Sequence, residues 1–257
     1  YYRLSAYWFP LLKDKENHIF KKGSNFSTAY KIYCFDRELR HLVLAELEKI
    51  EVAIRAKIIY IMSHRHGPFW YENDGLFSNS HKHQRLLEKF KTEYDRSDEE
   101  FILSFKKKYN NPLPPCWMLF EVTSFGSLSQ AYNILKPGID KREIAKAFGL
   151  PDKVLASWLH SIVYFRNVCA HHSRLWNRVM SIQPLIPKKT HNLWLNERAN
   201  QNNTTYFLLS MLIYMMNTIK QENDVVSRVK EIIKKYPNID PKAMGFPQDW
   251  KNESLWK

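Results

Sequence analysis

The sequence predicts an all-α protein, and three observations carry that prediction. Glycine is scarce, at 7 of 257 residues, which disfavours folds built on hairpins and Gly-rich loops. Apolar residues recur at steps of three and four over long stretches, the period of a helix face. No period-two alternation survives beyond four residues, so extended strands have no sequence support. Hydrophobic residues make up 44% and aromatics 14%. That apolar surface is enough to offset the entropy of ordering the chain, which excludes disorder. Neither an internal repeat nor a linker-like change of composition is visible. The expectation is one domain over residues 1–257, with the polar and basic stretch 79–109 as a candidate helical appendage.

Taken in order, Phe35 to Arg65 is the clearest helix. Leu39, Val43, Leu47, Ile50, Ile54, Ile58 and Ile61 form one stripe, and Gly67-Pro68 ends it. Within 79–109, Ser97-x-x-Glu100 has the form of a capping box and divides the stretch into two helices. Residues 110–115 (NNPLPP) are a stiff loop and Ser127 to Leu135 a short helix. Asp140-x-x-Glu143 is expected to cap a helix ending before Gly149, and Pro151 opens one that runs to about His172. After a Pro- and Asn-rich loop come helices over Thr204 to Gln221 and Asp224 to Lys235, then an irregular tail held down by Phe246 and Trp250.

The formal net charge of +13 points to a polyanion, either nucleic acid or an anionic membrane. The most apolar run, Tyr206 to Ile219, contains Ser210 and Asn217 and falls short of the roughly 20 apolar residues a spanning helix needs. No membrane partner is expected. Cys34, Cys116 and Cys169 are scattered and form no C-x-x-C. They read as reduced thiols of a cytoplasmic protein, not as a disulfide framework or a thiolate zinc site. His64-x-His66 and His81-x-His83 lack the Cys or acids that would complete a metal set, so no metal and no cofactor are expected.

Chemistry concentrates in Ser161 to Arg178, which holds three Arg, two His and two Asn and no acid. Arg binds phosphate bidentately without losing its charge, and His exchanges a proton near neutral pH. Metal-free RNA cleavage needs those parts: a base for the ribose 2′-OH, a cation for the phosphorane and an acid for the leaving 5′-oxygen. Arg166 and His171 are spaced R-x4-H, which 13 Arg and 10 His in 257 residues produce by chance roughly 0.5 times, so the context matters more than the spacing. Arg166 projects into the stripe of Leu155, Leu159 and Ile162 and is expected to be partnered or to line a polar cleft. His171 lies about 140° away on a continuous helix. Either the helix breaks near residues 170–172 or a second copy completes the site.

This stretch, Arg166-Asn167-x-x-Ala170-His171-His172-x-Arg174-Leu175-Trp176-Asn177-Arg178, resembles the signature of bacterial abortive-infection proteins of the AbiD/AbiF type, in the HEPN superfamily. The same resemblance runs through Tyr2-Arg3-Leu4-Ser5-x-Tyr7-Trp8, Glu51-x-x-x-Arg55, Gly67-Pro68-x-Trp70-Tyr71, Pro115-x-Trp117 and Phe125-Gly126-x-Leu128-Ser129. It implies a HEPN-like helical bundle, often dimeric, with a metal-independent endoribonuclease motif. Arg166, Asn167 and His171 match that motif position by position. It also implies that residues precede Tyr1, and that a small structured RNA holds the toxin in check. The expected RNA contacts are Arg174, Arg178, His172, Lys106, Lys107, Lys108, Lys188 and Lys189. The expected partners are that RNA or an RNA substrate, together with a second copy of the chain through the motif face. The alternative is a non-catalytic RNA-binding module that uses the Arg/His cluster as a phosphate clamp. Glu51 and Arg55 read as a structural pair, and Tyr1, Tyr2, Tyr7 and Trp8 as packing residues more than base-stacking ones.

Overall fold

The computed structural model describes residues 2–196 and 201–257, so Tyr1 lies outside the described residues. Among them the protein is all-α: nine helices, several single 3-10 turns and one two-stranded hairpin. They fall into two compact units. The first takes the chain up to Lys49, Tyr164–Ile186 and everything from Asn192; the second takes Ile50–Val163 and Pro187–His191. No helix of the described residues is long and apolar enough to cross a membrane.

In the first unit, β1 (Leu12–Asp14) pairs antiparallel with β2 (Ile19–Phe20). The Asp14 carboxylate closes the turn by accepting the N–H groups of Glu16 (3.0 Å) and Asn17 (3.1 Å). Strands this short leave no alternation to read. Helix α1 (Phe26–His66) starts well before the expected Phe35, because Asn25 caps it: its Oδ1 accepts the Thr28 N–H at 2.9 Å. The stripe from Leu39 to Ile58 is buried as expected, while Ile61 is half-buried and Met62 takes the core position.

Helix α8 (Thr205–Ile219) is buried along almost its whole length and is capped by the Thr204 hydroxyl. The tail is more ordered than expected. Three 3-10 turns, at Pro241–Met244, Trp250–Asn252 and Ser254–Trp256, press Phe246 and Trp256 onto Tyr206 of α8, with Trp250 packed against both. The buried Trp256 Nε1 donates to Ser210 Oγ at 3.0 Å. Gly245 sits at φ +87°, where an added Cβ would come within 2.5 Å of the Thr204 side chain. Helix α9 (Val225–Lys235) follows α8, and its Arg228 donates to the buried Glu46 of α1 at 2.8 Å.

The second unit holds α2 (Ser80–Asp95), α3 (Glu100–Lys108), α4 (Cys116–Val122), α5 (Phe125–Ile134) and α6 (Ile139–Lys146) with the adjoining parts of α1 and α7 (Asp152–Ala170). Gly67, at φ +80°, ends α1 by donating its N–H to Ser63 O at 2.9 Å, an αL cap. The polar stretch 79–109 is indeed two helices, and α2 buries His83, Leu86, Phe90 and Tyr94 against this unit. The expected capping boxes do not form. Glu99, not Ser97, occupies the position before α3, and Ser97 Oγ sits 3.4 Å from the Glu99 N–H. Asp140 and Glu143 reach away to Arg65, at 2.6 and 2.5 Å, because that cation lies within their reach and offers a stronger partner than a backbone N–H. Helix α4 escapes a sequence reading because it is short and follows Pro114-Pro115.

Candidate functional site

Helix α7 carries Arg166 and Asn167 on its last turns and stops at Ala170. The stop is a Schellman turn. The Ser173 N–H reaches back to Val168 O (2.9 Å) and the His172 N–H to Cys169 O (3.0 Å), while His172 adopts φ +55°. Glycine ordinarily fills that position because a Cβ strains the left-handed conformation. The helix therefore ends near residues 170–172, but the left-handed residue follows His171, so the break does not turn His171 toward Arg166. The His171 N–H still bonds Asn167 O at 2.9 Å, and both His171 and His172 are exposed.

Arg166 is not where the stripe placed it. Leu155, Leu159 and Ile162 are buried, but Arg166 is exposed, and its Nη1 donates to the neighbouring Asn167 Oδ1 at 3.4 Å. Toward the end of α7 the buried positions become Phe165, Val168 and Cys169. With Val154, Trp158 and Ser161 also buried, the packed face drifts by about 40° along the helix, and Arg166, on its margin, is left in solvent.

Downstream, the chain is held by a buried polar network. Asp36 of α1 accepts the N–H groups of Leu175 (3.0 Å) and Trp176 (2.6 Å) and the Tyr7 hydroxyl (2.6 Å), and it pairs with Arg40. All three side chains are buried, and Arg40 Nη1 also donates to Tyr7 Oη at 3.0 Å. Burial pushes the Asp36 carboxyl up, against the pull of Tyr7, Arg40 and the two N–H donors. Burial likewise raises Tyr7 and the Cys169 thiol. None of these network residues was singled out from the sequence as functional. The available signal was Asp36, three residues before Leu39 and thus in line with an apolar stripe.

Arg174 is half-buried and donates to Ala6 O and, at 3.2 Å, to Asn177 O. Arg178 donates to Arg174 O at 3.5 Å and to Tyr164 Oη at 3.2 Å. Burial raises the Tyr164 phenol, but bonds to Ser181 and Arg178 outweigh it and hold the group below its ordinary value. Burial lowers the Arg174 guanidinium, which still keeps its charge at neutral pH. His172, Arg174 and Arg178 together line an open cleft of about 480 Å³ whose other wall is Tyr2, Ser5, Ala6 and Phe9.

The remaining expected contacts belong to the second unit. Lys106 closes the end of α2, donating to Tyr94 O (3.1 Å) and Asp95 O (3.3 Å) over the Tyr94 ring. Lys107 and Lys108 are exposed at the end of α3, and Lys188 and Lys189 in the segment 187–191. Arg55 pairs with Glu51 (2.7 Å) and donates to Glu121 O and Thr123 O at the end of α4, a structural tie. His66 bonds Asp140, and His83 is held between Asp74 and Tyr71 O. Among the described residues no group of three or more His, Cys, Asp or Glu could hold a metal ion.

No curated protein and no solved structure matches the chain. A family model described as Abi-like protein matches residues 1–177, from the first residues through the Arg/His stretch. The chain therefore belongs to the Abi-like protein family.

Proposed function

We propose that this protein is a HEPN-type, metal-independent endoribonuclease of the AbiD/AbiF kind. It serves as the toxin of a bacterial abortive-infection or toxin–antitoxin system and is held in check by a small structured RNA. The observation that supports this most is the end of α7. There Arg166 and His171 are both solvent-exposed and five residues apart, about one and a half turns, at the end of a helix closed by a Schellman turn. In this reading His171 moves the proton. The ribose 2′-oxygen attacks phosphorus, the bond to the 5′-oxygen breaks, and a 2′,3′-cyclic phosphate and a 5′-hydroxyl result. Arg166 stabilises the phosphorane, and Asn167 orients Arg166 through its side-chain oxygen. A homodimer through the motif face supplies a second His, so that one copy acts as base and the other as acid.

The test is the chemistry of the product. Purified protein in excess EDTA should leave 2′,3′-cyclic phosphate ends on RNA. A strict requirement for a divalent cation, or 3′-hydroxyl ends, would remove the mechanism.

One observation favours a second reading, a phosphate clamp without cleavage. His172, Arg174 and Arg178 share the cleft, and Arg178 Nε is buried with no acceptor among the described residues. A protein that only retards RNA on a gel and never yields cyclic ends would support the clamp.

A further inference from the structure

The Arg/His stretch supplies only three of the 39 Lys and Arg residues, so most of the positive charge needs another use. The first unit presents an aromatic surface of a kind that proteins ordinarily bury. Phe20, Phe26 and Tyr30 are 46%, 59% and 49% exposed. Their rings form connected tiers. Phe26 and Tyr30 lie nearly parallel, 12° apart in plane with centroids 6.1 Å apart, and Tyr30 continues to Tyr33 at 27° and 6.2 Å. Trp8 joins Phe20 to Phe26, with centroids at 5.5 and 5.9 Å.

Local sequence explains why the rings are held open. Phe26, Tyr30 and Tyr33 sit at i, i+4 and i+7 on the first turns of α1, so they share one face. The Asn25 cap fixes that turn, and the β1–β2 hairpin sets Phe20 beside it. From Phe20 to Lys31 there are three lysines, Lys21, Lys22 and Lys31, all exposed, and no acid.

We propose that Phe20, Phe26 and Tyr30, with Lys21 and Lys22 directly following Phe20 in the chain, are a stacking surface for an unpaired stretch of RNA. Every base has a π-face, so aromatic tiers among lysines bind single strands with little regard for sequence, the rings taking bases and the lysines phosphates. A duplex hides its base faces and offers nothing to the rings. An anionic membrane would be met by a continuous apolar face beside the cations; here the sequence between the rings is broken by Ser24, Asn25 and Thr28. The surface also adjoins the motif's cleft. Phe9, next in the chain to Trp8, lines that cleft opposite His172, Arg174 and Arg178, and Lys15 Nζ lies 4.9 Å from its ring centre. An unpaired strand on the tiers is thereby led toward the end of α7.

The inference rests on RNA as the ligand but not on cleavage, and the test keeps the two apart. All binding is measured by fluorescence anisotropy on protein carrying His171→Ala. The probes are a fluorescein-labelled oligouridylate and the same length of perfect RNA duplex. The unpaired probe should bind more tightly. Phe26→Ala and Tyr30→Ala should each weaken it roughly tenfold while duplex binding and the melting temperature stay unchanged. Lys21→Glu with Lys22→Glu should lower the slope of log affinity against log salt by about 1.4, at about 0.7 for each phosphate released. Unchanged affinity for the unpaired probe in both ring variants would overturn the proposal. So would equal loss on the duplex, or sedimentation with phosphatidylserine vesicles that the ring variants abolish while RNA binding persists. If the parent His171→Ala protein still cleaves RNA, the catalytic reading fails and the stacking comparison stands.

Discussion

At the scale of single residues the most informative feature is His172. It occupies the left-handed position of the Schellman turn, at φ +55°, where glycine would sit without strain. Its side chain lines the cleft beside Arg174 and Arg178. His172→Gly should therefore raise folding stability by about 1 kcal/mol, read by urea unfolding, while weakening RNA binding. A loss of stability would show that the turn depends on contacts of the imidazole. Arg166 teaches a related lesson. Its helical phase was legible from Leu155, Leu159 and Ile162, but its exposure was not, because periodicity reports which residues share a face and not how far the packing partner extends.

Among elements, the junction of α1 with the chain after α7 depends on one buried acid. Asp36 serves two backbone N–H groups, a phenol and an arginine at once. Asp36→Ala leaves Arg40 buried without its counter-charge and two N–H groups without an acceptor, which should cost about 3–5 kcal/mol. Chemical denaturation measures this, and a loss below about 1 kcal/mol would mean that water or another group replaces the carboxyl. A milder Asp36→Asn change should retain an acceptor for Leu175 and Trp176 and lose less. The long helices were legible because their stripes are long, and α8 because an apolar run needs no phase to be recognised. What stayed hidden was short or capped unexpectedly: α4 behind two prolines, the hairpin of three and two residues, and the first nine residues of α1. The Asp140 box failed because its carboxylates find Arg65, a stronger partner than a backbone N–H, and the Ser97 box failed because Glu99, not Ser97, precedes the helix.

For the molecule as a whole, the +13 charge was the first clue and the least specific one. The described structure divides its uses. Lys106 is spent on the end of α2, Arg55 on the end of α4, and Arg174 and Arg178 on the chain around the cleft. Lys21, Lys22 and Lys31 are exposed, Lys21 also donating to Pro10 O at 3.0 Å. The proposed catalytic pair was legible as a spacing, and its family context covers residues 1–177. The network that holds the chain beside it was not, since three residues as far apart as Tyr7, Asp36 and Leu175 meet only in the folded chain.

The central claim is that Arg166 and His171 cleave RNA without a metal. The direct measurement is single-turnover cleavage of RNA in EDTA by the wild-type protein, Arg166→Ala and His171→Ala. Both residues are exposed, so the variants should fold and melt as the wild type does. Each should lose activity by about 10²–10⁴-fold. Cleavage by either variant at the wild-type rate would contradict the account.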